Sequence, residues 1–144
     1  MVAGIFVGVG VGVGVDVGVG MGDNSLKGAT KMSYEKTDVY QCSIKFMSIA
    51  IEVTASLPRG HGGLSDQFRR ASISIPLNIA EGAGKRTKPD CSKFFVIARG
   101  SAMECGAIID VCQLMGFVDS EKARTAKNLL HRIVAMLTKL SGTS

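Results

Sequence analysis

Asn78 and Glu81 stand three residues apart in an otherwise largely aliphatic stretch, QFRRASISIPLNIAEGAG, over residues 67–84. On a helix that spacing puts an amide and a carboxylate on one face. Glu104 is placed to meet them from a later helix, with Arg70 or Arg99 nearby. A converging carboxylate pair would be the apparatus of general acid–base catalysis. The same groups also fit a structural polar network, hydrogen-bonded at partial burial, that fixes the register of two helices. The network reading is favoured, because no nucleophile, metal-ligand set or histidine accompanies the three residues. It predicts a protein without enzymatic activity and without catalytic residues.

Other chemistry-bearing residues point the same way. His61 lies in a glycine-rich loop and His131 beside Leu130 on the last apolar segment. Isolated histidines of this kind are solvated or satisfied by a neighbour. The GAGK at residues 82–85 lacks the GxxxxGK[ST] spacing of a phosphate loop and no strand precedes it, so nucleotide binding is not expected. Ser72 and Ser74 have no His–Asp partners to make either a nucleophile. The four cysteines, at 42, 91, 105 and 112, form no CxxC and have no histidine at ligand spacing, which argues against zinc. Cys42, Cys105 and Cys112 fall on apolar seams, where a free thiol behaves as a small hydrophobe. With no basic, Leu/Ala-rich secretory signal in view, the thiols suggest a reducing cytoplasm. No cofactor, no metal and no small-molecule substrate is expected.

Charge gives a second candidate function. The chain carries 17 Lys and Arg against 12 Asp and Glu, a formal charge of +5. The surplus gathers between residues 69 and 99, where Arg69, Arg70, Lys85, Arg86, Lys88, Lys93 and Arg99 face only Glu81 and Asp90. These seven cations are the candidate nucleic-acid contacts, acting on phosphates rather than bases. Aromatic stacking platforms are scarce, with no Trp and two Tyr, so sequence-specific reading of single strands is not expected. The alternative is a solvated surface that aids solubility. Arg69 and Arg70 begin a helix that Lys85 and Arg86 follow, about 22 Å apart at 1.5 Å per residue. Within one chain these two patches cannot grip one phosphate, although they could line one face of an oligomer.

The elements that must position these residues are helices. Val39, Cys42, Phe46, Ile49 and Val53 recur every three or four residues, with Leu57 following, and the segment ends before Pro58. Phe68, Ala71, Ile75 and Ile79 form a second seam, with Ser65 as its expected N-cap and Gly82 and Gly84 as its stop. Pro76 interrupts the hydrogen-bond ladder, yet the seam stays in phase across it, which predicts a kinked but continuous helix. Phe94, Ala98, Ser101, Cys105, Ile108, Cys112 and Met115 follow a heptad rhythm after Thr87-Lys88-Pro89, and Gly116 closes the segment. Gly100 and Gly106 inside it suggest close helix–helix approach. The fourth segment opens near Ser120, another expected N-cap, with Ala126, Leu130, Ile133, Leu137 and Leu140 on one face. Short connections between long helices predict an all-α, antiparallel up-and-down four-helix bundle. Tyr40, Met47, Ile51, Ile97 and Ile109 lie off these seams and are candidates for a subunit interface.

QFRRASISIPLNIAEGAGKRT, followed by FFVIARGSAMECGAIIDVCQLMGF, resembles the bacterial four-helix-bundle family of 23S ribosomal RNA intervening-sequence proteins. The resemblance rests on Gln67, Arg69, Arg70, Ala71, Ser74, Ile75, Pro76, Asn78, Ile79, Ala80, Glu81, Gly82 and Arg86, then on Ala98, Gly100, Ser101 and Glu104. It spans roughly residues 33–140. Members are encoded within insertions in large-subunit ribosomal RNA genes or free-standing in genomes, and most have no assigned activity. They are similar to the accessory protein of diversity-generating retroelements, a ring-like homopentamer with a basic surface that binds a reverse transcriptase and nucleic acid. The resemblance therefore implies a homo-oligomer, a pentamer by that likeness. Cys105-Gly106 departs from the family's Leu-Glu after Glu104 and puts any role of that acidic position in doubt.

Residues 1–22 alternate Val with Gly, eight of each. Glycine costs a helix roughly 1 kcal/mol per residue relative to Ala, and Asp16 inside the run would be costly in a membrane. No membrane association is expected. The run predicts a low-complexity, disordered tail over residues 1–31, and a bundle domain over 32–144. A native start at Met21 or Met32 is a related expectation. Two functions remain in play: an oligomeric module that binds RNA or DNA through basic side chains, and a self-associating protein-interaction scaffold with no nucleic-acid role.

Overall fold

The computed structural model describes residues 32–142. The expected tail and the candidate start at Met21 lie outside the described residues. Four helices dominate: α1 Asp38–Ser56, α2 Gly62–Ala83, α3 Lys88–Leu114 and α4 Ser120–Ser141, with a short 3-10 turn Ser33–Lys36 ahead of them. There is no strand among the described residues. Each helix buries one apolar stripe, and the four stripes fuse into one core. Phe46 and Val53 of α1, Phe68, Ile75 and Ile79 of α2, Cys105, Ile109 and Cys112 of α3, and Ile133 and Leu137 of α4 are almost wholly buried. Phe46 and Phe68 meet edge to face, with ring centroids 6.1 Å apart.

Cross-helix contacts define the pairing. Gln67 of α2 meets Glu104 of α3, Ser74 meets Ser101, and Gly82 faces Phe95, so numbers rise on one helix as they fall on the other. The same holds between α3 and α4, where Ser92 donates to the carbonyl of Ser141, Gln113 to Ser120, and Lys127 to Asp110.

Helix α2 runs unbroken through Pro76, which is buried. It starts four residues earlier than an N-cap at Ser65 predicts. Gly62 and Gly63 occupy the first turn, where most backbone donors have no intrahelical partner in any case. The N-cap is His61, whose ring packs edge-on against Phe117 at 4.7 Å, and Ser65 donates from its backbone to the His61 carbonyl. At the other end, Gly82 lies inside the helix rather than stopping it. A Cβ there would sit 2.7 Å from Cε1 of Phe95 and 3.2 Å from the Cys91 carbonyl. Gly82 is therefore the close-approach glycine. Gly100 is exposed, with no atom within 4 Å of an added Cβ, and Gly106 reaches only Leu130, at 4.0 Å.

Helix α3 is capped by Thr87, whose hydroxyl accepts from the Asp90 backbone, with Pro89 in the first turn. Its buried line is Phe95, Ala98, Ala102, Cys105, Ile109 and Cys112, with Ile108 beside it. Phe94 and Ser101 are half-buried, and Met115 is exposed. Ile109 belongs to the core, not to an interface. Helix α4 is capped by Asp119, one residue before Ser120, and a full negative charge suits that end of the helix dipole. Leu140 is exposed, and Ser141 takes the last buried position.

Candidate functional site

The structure places Asn78, Glu81 and Glu104 on three different partners. The Asn78 amide donates to the carbonyl of Ser74 at 2.8 Å and to its Oγ at 2.9 Å, and Ser101 Oγ donates to Ser74 Oγ at 2.8 Å. This half-buried Asn78–Ser74–Ser101 chain is one polar link between α2 and α3. Glu104 is exposed and accepts from Gln67, whose own oxygen accepts from Arg70. Glu81 is exposed and pairs with Lys85 one turn on. The two carboxylates do not converge on a common atom or cleft.

Two buried thiols of α3, Cys105 and Cys112, are held in their neutral form. The Cys105 thiol is raised from an ordinary 9.0 to about 12, chiefly by burial, with the contact to Ser72 Oγ lowering it and nearby Glu104 raising it. Cys112 is raised by burial as well. Such thiols are poor nucleophiles. No three His, Cys, Asp or Glu side chains among the described residues are grouped to hold a metal. No described helix is long and apolar enough to cross a membrane.

The seven cations of residues 69–99 divide. Arg70 pairs with Asp66 at 2.7 Å and Lys93 with Asp90 at 3.8 Å. Lys85 pairs with Glu81 at 3.6 Å and sits over the Phe94 ring, 5.0 Å from its centroid. Arg99 is half-buried. Arg69, Arg86 and Lys88 are exposed. Arg69 stands at the rim of a shallow groove of about 170 Å³ between α1 and α2, lined by Met47, Ile51, Thr54 and Ile73. Lys88 lines a second groove, of about 340 Å³, with Lys139 and Ser92.

Two outward faces are not evident from the seams. On α3, Val96, Gly100, Met103, Ala107, Val111 and Leu114 form a second stripe, all exposed, with Met103 60% and Leu114 88% accessible. On α4, Arg124, Asn128, His131, Arg132, Ala135 and Lys139 are all exposed. The α4 cations were legible as five Lys and Arg against Glu121 alone over residues 120–141. The apolar spacing of each segment reports only the buried side of its helix.

A family model described as 23S rRNA-intervening sequence protein matches residues 35–139. None of the curated proteins matches the chain significantly. The fold is similar to a crystal structure of a protein of unknown function from the S23 ribosomal protein family of Bacteroides thetaiotaomicron. That likeness has a TM-score of 0.67 at 20% identity and covers 73% of this chain and 99% of the other. The matched segment contains all four helices up to the last turn of α4 and both quoted phrases around Asn78 and Glu104. The chain belongs to the 23S rRNA-intervening sequence protein family.

Proposed function

We propose that this protein is a non-catalytic, self-associating bundle of the cytoplasm that binds RNA or DNA through basic side chains. The observation that carries the reading is the division of the exterior into an apolar face on α3 and cationic faces elsewhere. Monomeric proteins rarely leave a contiguous apolar stripe in water. The stripe on α3 and the apolar groove between α1 and α2 are different surfaces of one chain. Two unlike faces that fit each other generate a head-to-tail contact, which closes into a ring when the rotation allows. The family resemblance suggests five copies. Dispersal of Asn78, Glu81 and Glu104 onto separate partners supports the absence of catalysis.

A second reading, a self-associating protein-interaction scaffold without nucleic acid, is favoured by the ion pairing of Arg70, Lys85 and Lys93. Light scattering tests the shared part: the expected mass is a multiple of 15.1 kDa, and a monomer at high concentration contradicts both readings. Filter binding of structured RNA across a salt series separates them. Binding at about 50 mM salt that weakens steeply on salt addition is the expected result, since electrostatic attraction is screened least at low salt. No binding at low salt leaves the scaffold.

A further inference from the structure

Helix α4 offers a cationic track that its pairing pattern leaves open. The ion pairs among the described residues engage Arg70, Lys85, Lys93, Lys122 and Lys127. Arg124, Arg132, Lys139 and Lys88 are exposed and in no such pair. The first three share one face, since 124, 128, 132, 135 and 139 succeed one another at helical spacing. Glu121, in the first turn, is the one carboxylate on that face, and none follows it. From Arg124 to Lys139 the track runs about 22 Å at 1.5 Å per residue. It does not stop at the helix end. Lys139 and Lys88 line the same groove, with the Ser92 side chain and no carboxylate among the described residues of its wall. That groove carries the track across to the first residue of α3, Lys88.

We infer that a nucleic-acid phosphate backbone lies along α4, from Arg124 through Arg132, and ends in the groove between Lys139 and Lys88. This rests on the nucleic-acid reading above and moves its main contact from α2 to α4. Ala135 is the sole apolar residue on the face, so it lacks the greasy side that a membrane-surface helix buries. The face also lies apart from the α3 stripe and the α1–α2 groove, so self-association leaves it open and repeats it once per copy.

The test is a fourfold variant, Arg124→Gln, Arg132→Gln, Lys139→Gln and Lys88→Gln, in the full chain. Gln is as good a helix former as Lys or Arg, and circular dichroism and melting confirm that the fold is kept. Binding is measured against duplex RNA, single-stranded RNA and duplex DNA of equal length, and against phosphatidylserine vesicles, from about 50 to 200 mM salt. Four phosphate contacts at 0.7–0.9 each make the slope of log K on log salt shallower by about 3 in the variant. Over that fourfold salt range the wild-type affinity loses about 100-fold more than the variant's. The Arg69→Gln, Arg70→Gln double variant is expected to change the slope little. An unchanged slope in the fourfold variant, an equal loss in the α2 double variant, or binding to vesicles alone overturns the inference. Wild type that binds no nucleic acid at all overturns the parent reading too, which distinguishes the two failures.

Discussion

Helices α3 and α4 lie side by side, yet they face water with opposite chemistry. Helix α4 keeps its apolar residues on one side, with Ala123, Ala126, Leu130, Ile133 and Leu137 inside and Arg124, Arg132 and Lys139 outside. That is the ordinary pattern of a surface helix. Helix α3 has an inner line through Cys105 and Ile109 and an outer line through Met103 and Val111. A helix apolar on both sides is the pattern of one covered on both. The difference teaches that the two helices serve different neighbours. On the function proposed above, the outer line of α3 would meet protein and the outer line of α4 counterions or phosphates.

The sharpest way to break that contrast is to charge the α3 face. Met103→Asp with Val111→Asp is expected to weaken self-association by more than 100-fold, about 3 kcal/mol, because each charge would be buried without a partner. Sedimentation or light scattering reads the loss, while the circular dichroism spectrum stays helical. Arg124→Asp with Arg132→Asp on α4 leaves the mass unchanged. If the α4 variant dissociates and the α3 variant does not, the assignment of the faces is reversed.

Two glycines sharpen the same contrast within the α2–α3 pair. Gly82→Ala forces a methyl against Phe95 and is expected to destabilise by about 1–3 kcal/mol, or roughly 4–8 °C in Tm per kcal/mol for a domain of this size. Gly100→Ala meets nothing on the outer face and is expected to stabilise by about 0.5–1 kcal/mol. Thermal melts that rank the two the other way would place Gly100 at the packed side.

The smallest effect concerns the inner line. Cys105 is held neutral up to about 12, whereas its unfolded thiol ionises near 9.0. Between those values the unfolded chain has shed a proton that the folded chain keeps. Stability from this thiol is therefore full below pH 9 and drains as pH rises toward 12. Cys105→Ala lowers stability at neutral pH through the small hole it leaves, but the decline of Tm over that alkaline window should be shallower than in wild type. An identical decline in both would mean that the buried Cys105 thiol does not contribute to alkaline unfolding.

Fold class and helix spans were legible in the sequence, because periodicity reports which side of a helix is buried. Phe68, Ile75 and Ile79 are cases where spacing alone sufficed. Caps were less legible. Asp119 and Ser120 are both good caps, and only the geometry selects the charged one. Ser65 lost to His61 because two glycines can fill a first turn when the flanking ring has Phe117 to lean on. The site was the least legible part. Asn78 and Glu81 share a face by number, but Ser74 lies nearer to Asn78 than any carboxylate, and hydrogen bonds follow distance. The α3 outer stripe is hard to read from sequence because the helix carries two apolar seams, and the inner one alone already accounts for a packed helix.

Helix α1 differs from the other three in how it is fastened. Polar ties join α2 to α3 at Ser74–Ser101 and Gln67–Glu104, and join α3 to α4 at Ser92–Ser141 and Asp110–Lys127. Beyond its own grease, α1 is tethered to them by the Lys122–Glu52 pair, a water-exposed link of little strength. It is thus the plank that lifts first when the native state breathes, its amides trading protons ahead of those in the remaining trio. Whatever grips the slot between Met47 and Ile73 would nail that plank down, so assembly and resistance to unfolding would rise together.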